Sequence, residues 1–199
     1  MDPMRHDLTA ALADAGREFY ARGWMLATGG NLSAALSGSR FLMTASGGHK
    51  GRLVDADFLD LAVDAPLPAT APRPSAEAVV HQRLYANVSS ARAVLHVHSP
   101  YVTLVSRHLA DHGFVRFGGY EFVKALGYWD EGAVVDAPIV ANHHAIPALA
   151  EAVCDAAMRA APCPGVLVAG HGLYAWGDSV AAAQRHVEAF EFLCQMVWL

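Results

Sequence analysis

The sequence predicts an α/β fold: one domain spanning residues 1–199, in which a sheet is covered by helices and much of the sheet is antiparallel. Three observations carry this. Helical and strand patterns alternate along nearly the whole chain. Several strand candidates follow one another at hairpin spacing, which favours antiparallel pairing. And 54% hydrophobic against 17% charged residues over 199 positions supplies the apolar material for a substantial core.

The elements follow in order. Leu8, Leu12, Ala15 and Phe19 recur at helical spacing, and Gly23 supplies a stop. Strands are expected over 32–35 and 41–44, joined by a Ser/Gly turn that reads as a hairpin. The Pro- and Ala-rich stretch APLPATAPRP at 65–74 reads as a surface loop within the domain. After it, Ser75 is placed to cap a helix over 76–85, with Glu77 in the first turn where a carboxylate suits the helix dipole. A strand over 93–98 comes next, then helices over 101–109 and, shorter, 120–126. Strands over 134–136 and 138–140 precede an Ala-rich helix over 145–160. The run 165–169 reads as a buried strand and 173–176 as another. Asp178 or Ser179 starts the final helix, whose Phe190, Phe192, Val197 and Trp198 suit either a core or a subunit contact.

Charge and composition exclude several classes. A net charge of −5, a pI near 6.1 and no basic run disfavour nucleic acid as a partner. The N-terminus lacks a basic region followed by a continuous apolar stretch, and no uncharged apolar run is long enough for a membrane span; a cytoplasmic protein is expected. Cys154, Cys163 and Cys194 are widely separated and never in CxxC spacing, so they read as buried small hydrophobes rather than as a disulfide framework or a thiolate metal site.

The 11 histidines are more informative. In AVLHVHSP, His96 and His98 lie two apart on a strand, so both imidazoles project from one face while Leu95 and Val97 point to the other. His171 stands at the abrupt end of the apolar run GVLVA between Gly170 and Gly172, which let the backbone turn and present the ring. Taken alone, the HxH pair also fits partly exposed strand residues, and His171 fits a turn. Together they describe three imidazole ligands with an open position, a catalytic metal arrangement. Zinc suits neutral imidazoles, although Fe, Co, Ni or Mn use the same ligands. His143 and His144 are expected in a loop; His81, on the helix after Ser75, fits either a polar partner behind the metal ligands or a packed helical residue, with packing the expectation.

Two segments look built to hold an anion: Thr28-Gly29-Gly30-Asn31 and TASGGHKG at 44–51. Small residues let backbone N–H groups approach phosphate oxygens, hydroxyl and amide side chains add donors, and Lys50 adds charge. Each segment alone also fits a plain Gly-rich turn. The helix start at Pro74-Ser75-Ala76-Glu77 is a third anion-binding element.

The ordered set of TxGN, TxSG, S-x-E, HxH and a late His resembles the class II aldolase/adducin family over nearly the whole chain. That resemblance implies a three-layer α/β/α architecture with a central, mostly antiparallel sheet. It implies one zinc ion per subunit on His96, His98 and His171. It also implies a phosphorylated sugar as substrate, held by Gly30, Asn31, Ser46, Gly47 and Ser75, with Lys50 a further phosphate contact, and a homotetramer with sites near subunit contacts. The stretches TASGGHKGRL, GGYEFVKAL and GHGLYAWGDSVAAAQRHVEAFEFL resemble the family's dehydratase branch. This implies loss of water from 5-methylthioribulose 1-phosphate in methionine salvage, with Glu121 as the first choice of acid/base and Glu77 as the second. Aldol cleavage or epimerisation of a fuculose- or ribulose-type phosphate is the alternative, and a non-catalytic adducin-like interaction module a further one. One departure stands out: the chain reads TGGN where many relatives read TSGN, so a hydroxyl contact to phosphate is missing while the backbone donors remain.

Overall fold

The computed structural model describes residues 3–199. Its strands are β1 (Asn31–Ala35), β2 (Arg40–Thr44), β3 (Phe58–Ala62), β4 (Ala93–Val97), β5 (Phe114–Gly118), β6 (Val134–Val140), β7 (Gly165–Val168) and β8 (Gly172–Gly177). Its α-helices are α1 (Pro3–Ala21), α2 (Ala78–Asn87), α3 (Pro100–His108), α4 (Ile146–Arg159) and α5 (Val180–Trp198). The strands form one 8-stranded sheet in the order β3-β2-β1-β4-β8-β7-β6-β5. Every neighbouring pair is antiparallel except β6 and β7.

Alternation along the central strands decides the layers. On one face Leu32, Leu95, Val97, Leu173 and Ala175 pack against Leu12 and Phe19 of α1, Val102 and Val105 of α3, and Val187, Phe190 and Leu193 of α5. On the other, Val94, Val166, Val168, Tyr174 and Trp176 meet Val80 and Leu84 of α2 and Leu149 and Val153 of α4. Each fully buried Leu, Val or Phe contributes roughly 1.5–3 kcal/mol, so both faces need their helices. The architecture is therefore three-layer α/β/α around a mostly antiparallel sheet, as expected.

Most predicted elements appear within a few residues. β3 and β5 were not anticipated. Both are edge strands, β3 at one end of the sheet and β5 at the other, and each carries an exposed charged position, Asp60 and Arg116. Pro138 does not split β6. It lies opposite Phe114 at the end of the β5 ladder, where a missing N–H interrupts little. The expected short helix near 120–126 is a 3-10 segment, Glu121–Leu126. The last helix divides its apolar residues: Phe190 is in the core, whereas Phe192, Val197 and Trp198 are exposed. All three cysteines are free and buried. None of the described helices is long and apolar enough to cross a membrane.

One buried carboxylate links the layers to the site. Glu191 of α5 accepts hydrogen bonds from the backbone N–H groups of Tyr101 and Val102, both at 3.0 Å, and so caps the start of α3. A charged acceptor there satisfies two helix-end donors and meets the positive end of the helix dipole. α3 begins immediately after His98 and Ser99, so this cap fixes where the chain goes on leaving β4.

Candidate metal centre and its cleft

The strand register assembles the centre. Asn31 of β1, His96 of β4 and Tyr174 of β8 are cross-strand partners in one row, and all three point to the α2 side of the sheet. His98 lies just beyond β4, its N–H bonded to the Trp24 carbonyl at 2.9 Å. His171 sits in the tight turn joining β7 to β8. Gly170 there has φ +64, and a Cβ on Gly172 would lie 2.1 Å from the Val97 carbonyl oxygen. Only glycine permits that approach, and the approach brings His171 beside the HxH segment.

The three rings converge on their Nε2 atoms. His98 Nε2 is 3.0 Å from His96 Nε2 and 3.1 Å from His171 Nε2. His96 is fully buried; its Nδ1–H donates to the Leu173 carbonyl at 3.0 Å, which leaves the Nε2 lone pair facing its neighbours. Tyr174 stacks on that ring at 4.1 Å. Burial, then the neighbouring His98 and His171, hold His96 well below the ordinary imidazole range. Burial, with His171 and Lys50 nearby, lowers His98 to about 4. Neutral imidazoles with converging lone pairs repel one another unless a cation lies between them. Nitrogens about 3.3 Å apart are what tetrahedral coordination at zinc–nitrogen distances requires, so this donor set fits a divalent metal. Among the described residues, His96, His98 and His171 form the cluster able to hold one.

Glu77 faces the same point. Its Oε2 is 3.6 Å from His96 Nε2 and its Oε1 is 3.6 Å from His171 Nε2. Asn31 Nδ2 donates to Oε2 at 2.8 Å. The α2 start anchors this carboxylate: Ser75 Oγ accepts from the Glu77 N–H at 3.2 Å and the Ser75 carbonyl accepts from Ala78 N–H at 3.0 Å. Ser75 is therefore not the expected cap: it closes the turn that precedes the helix, which begins at Ala78 with Glu77 in the N-cap position and no side-chain cap.

Beside the triad lies a cavity of ≈ 170 Å³ whose walls include both Gly-rich segments, Lys50, Ser75, Glu77 and His98. Gly30, Asn31, Ser46 and Gly47 all line it. Lys50 is buried and donates to the Thr28 carbonyl at 3.1 Å and the Gly48 carbonyl at 2.9 Å, stitching one segment to the other. Burial lowers its pKa, and Asp57 partly offsets that. The segments carry unusual backbone: Ala27 and Thr28 have φ 49 and 66, conformations that side chains rarely adopt outside functional loops. At Gly29, a Cβ would sit 3.0 Å from His98 Nδ1 and 3.1 Å from the Leu26 carbonyl oxygen, so the missing side chain leaves little room for another.

Glu121 is elsewhere. It is exposed, paired with Lys124 at 2.6 Å, and lines a separate cleft of ≈ 480 Å³ with Tyr120 and Trp129. Within one chain the carboxylate at the histidines is Glu77. His81 is buried on α2, but it follows the alternative reading rather than the favoured one: it is a polar partner that bridges Asn31 and Ser33, at 2.5 Å and 2.7 Å. The missed signal was a stripe. Glu77, His81 and Tyr85 stand at i, i+4 and i+8 at the start of and along α2, opposite Asn31 and Ser33 at i and i+2 on β1. His143 and His144 are exposed in a loop, as expected.

A family model described as Class II Aldolase and Adducin N-terminal domain matches residues 10–198. The chain belongs to the class II aldolase and adducin family. It is 43% identical over 189 residues to a protein of Sorangium cellulosum named methylthioribulose-1-phosphate dehydratase, covering 94% of this chain and 89% of that one. A protein of the same name from Xanthomonas campestris is 41% identical, over 94% of this chain and 87% of that one. Among solved structures of the family, an L-fuculose-1-phosphate aldolase from Thermus thermophilus superposes with a TM-score of 0.80 at 29% identity, covering 98% of this chain and 95% of that one. YgbL from Escherichia coli, a putative aldolase/epimerase/decarboxylase, gives 0.83 at 25% identity, over 98% and 90%.

Proposed function

We propose that this chain, acting as one domain, dehydrates 5-methylthioribulose 1-phosphate to 2,3-diketo-5-methylthiopentyl 1-phosphate in methionine salvage, with one zinc ion per subunit on His96, His98 and His171. One observation carries the reading: three imidazoles and a carboxylate converge at the edge of a cavity walled by two Gly-rich loops and a buried lysine. The relatives above 40% identity named for this reaction support it.

The phosphate lies against Gly30, Asn31, Ser46, Gly47 and Ser75, where backbone and hydroxyl donors meet its oxygens and Lys50 supplies the opposing charge. His96, His98 and His171 would hold the zinc, which would supply Lewis acidity to the substrate's carbonyl and so make the neighbouring C3 hydrogen acidic. Glu77, aimed at the triad, takes the C3 proton. The same carboxyl group then protonates the departing C4 hydroxyl, which leaves as water, and the resulting enol tautomerises to the diketone. General acid/base assistance of this kind is worth about 10²–10⁴-fold. Glu121 keeps its candidacy through assembly. In the proposed homotetramer an exposed Glu121 can meet the triad of a neighbouring copy, where Glu77 becomes a polar partner of the metal instead.

The competing reading is aldol cleavage or epimerisation on the same scaffold, favoured by the Thermus structure. Incubating the purified, zinc-loaded protein with 5-methylthioribulose 1-phosphate, L-fuculose 1-phosphate and ribulose phosphates separates dehydration from aldol cleavage by product mass, and chromatography detects an epimer of unchanged mass. Loss of one water from the first substrate is expected. Two carbon fragments from any of them, without that dehydration, assign an aldolase instead. Metal analysis of protein prepared without chelators tests the zinc assignment, and the absence of stoichiometric metal favours an adducin-like interaction module.

A further inference from the structure

Behind Glu77 runs a buried chain of side chains that metal binding does not use. Asn31 Nδ2 lies 2.8 Å from Glu77 Oε2, and Asn31 Oδ1 lies 2.5 Å from His81 Nε2. His81 Nδ1 lies 2.7 Å from Ser33 Oγ, and Ser33 Oγ lies 2.6 Å from the Tyr85 hydroxyl. Asn31, Ser33 and His81 are buried.

Donor and acceptor rules allow one direction. An ionised carboxylate only accepts, so Asn31 must present its NH₂ to Glu77. Its carbonyl oxygen then faces His81, whose Nε2 must carry the proton. A neutral imidazole protonated on Nε2 accepts at Nδ1, so Ser33 donates there. The Ser33 hydroxyl also has the Val94 carbonyl within 3.4 Å, but the 2.7 Å acceptor is the better one. Tyr85 completes the chain by donating to Ser33. Every hydrogen therefore points toward Glu77, an arrangement in which successive bonds polarise and strengthen one another. Burial keeps His81 neutral, lowering it to about 3, which the single direction requires.

We infer that His81 is a positioning residue: by holding the Asn31 amide in one of its two flip states, it fixes the orientation of the Glu77 carboxylate toward the three histidines. Without the Nε2–H of His81, the Asn31 amide can rotate and set its oxygen against the carboxylate. The chain moves no proton; it aims the Glu77 carboxylate at the triad. The inference rests on the proposed role of Glu77, so its test includes a readout independent of turnover.

His81→Gln keeps an acceptor and a donor side by side, whereas His81→Leu keeps neither. With zinc content and KM within about threefold of wild type, kcat should fall about 10–100-fold in His81→Leu and no more than about threefold in His81→Gln. Ser33→Ala, a smaller change, should lower kcat about threefold to tenfold and keeps the test alive should His81→Leu not fold. Equal losses in His81→Gln and His81→Leu, or unchanged kcat in Ser33→Ala, overturn the inference. In the ¹⁵N spectrum of the zinc-loaded wild type, His81 should show a protonated Nε2 and an unprotonated Nδ1 at neutral pH. The opposite tautomer or an imidazolium overturns the inference whatever the substrate proves to be. A wild-type protein with that spectrum but no dehydratase activity overturns only the proposed reaction.

Discussion

Replacing Glu77 by Gln removes the proposed base while disturbing little else. Asn31 Nδ2, 2.8 Å from Oε2, requires an acceptor, so the new amide oxygen takes that place. The NH₂ then falls where Oε1 was, 3.6 Å from His171 Nε2. Shape and the Asn31 contact survive; the ability to accept the C3 proton does not. Loss of general base assistance should lower kcat by about 10²–10⁴-fold, or about 3–5 kcal/mol in the activation barrier. KM, zinc per subunit and melting temperature should stay near wild type. The assay is steady-state dehydration followed by product mass, with Glu121→Gln measured alongside. Glu121 is exposed and bonded to Lys124, so its replacement should change stability by less than about 0.5 kcal/mol. Near-normal turnover in Glu77→Gln refutes the reasoning. If Glu121→Gln alone is inactive, the acid/base group comes from a neighbouring copy, and mixed tetramers of Glu121→Gln with a triad-deficient variant should regain activity.

Four further outcomes are expected. Lys50→Met removes the charge facing the cavity and should raise KM for the phosphorylated substrate about 10–100-fold with zinc content unchanged; an unaltered KM removes Lys50 from phosphate binding. Gly172→Ala places a Cβ 2.1 Å from the Val97 carbonyl oxygen and should cost about 3 kcal/mol or more, read as a lower denaturation midpoint and as weakened zinc binding. Glu191→Ala strands the N–H groups of Tyr101 and Val102 and should cost about 2–3 kcal/mol, a fall of roughly 5–10 °C in Tm. For metal-free protein, burial holds folded His81 at about 3, below its ordinary value. The unfolded chain therefore binds the extra proton between those two values, and stability falls as pH falls. The His81 share of that loss is about 2 kcal/mol between pH 7 and pH 5. Urea titrations at both pH values should show this share missing in His81→Gln.

Much of the fold was legible because its signals are local. The helical spacing from Leu8 to Phe19, the Ala-rich stretch of α4 and the alternation around Leu95 and Val97 each follow from neighbours in sequence. β3 and β5 escaped because an edge strand is short, half exposed and defined by its partner: Phe58–Ala62 is a strand through β2, and Phe114–Gly118 through β6. In FVRFG the alternation was present, with Val115 and Phe117 turned inward, but five residues are a short signal until the partner strand is in place.

The site divides along the same line. Sequence alone picked out the three histidines that come together, because HxH on a strand puts two imidazoles on one face and Gly-His-Gly marks a sharp turn; it also picked out the Gly-rich segments that wall the cavity beside them. Which carboxylate meets the histidines was decided by tertiary structure. Glu77 and Glu121 are equally acidic on paper, and their positions depend on α2 packing over β1 and β4, contacts between residues dozens of positions apart. His81 shows the same limit. A histidine on a buried helix face reads as packing until the sheet register sets Asn31 and Ser33 opposite it. In a buried, low-dielectric interior, hydrogen-bond partners then dictate which nitrogen carries the proton, and that is a property of the folded neighbourhood rather than of the residue.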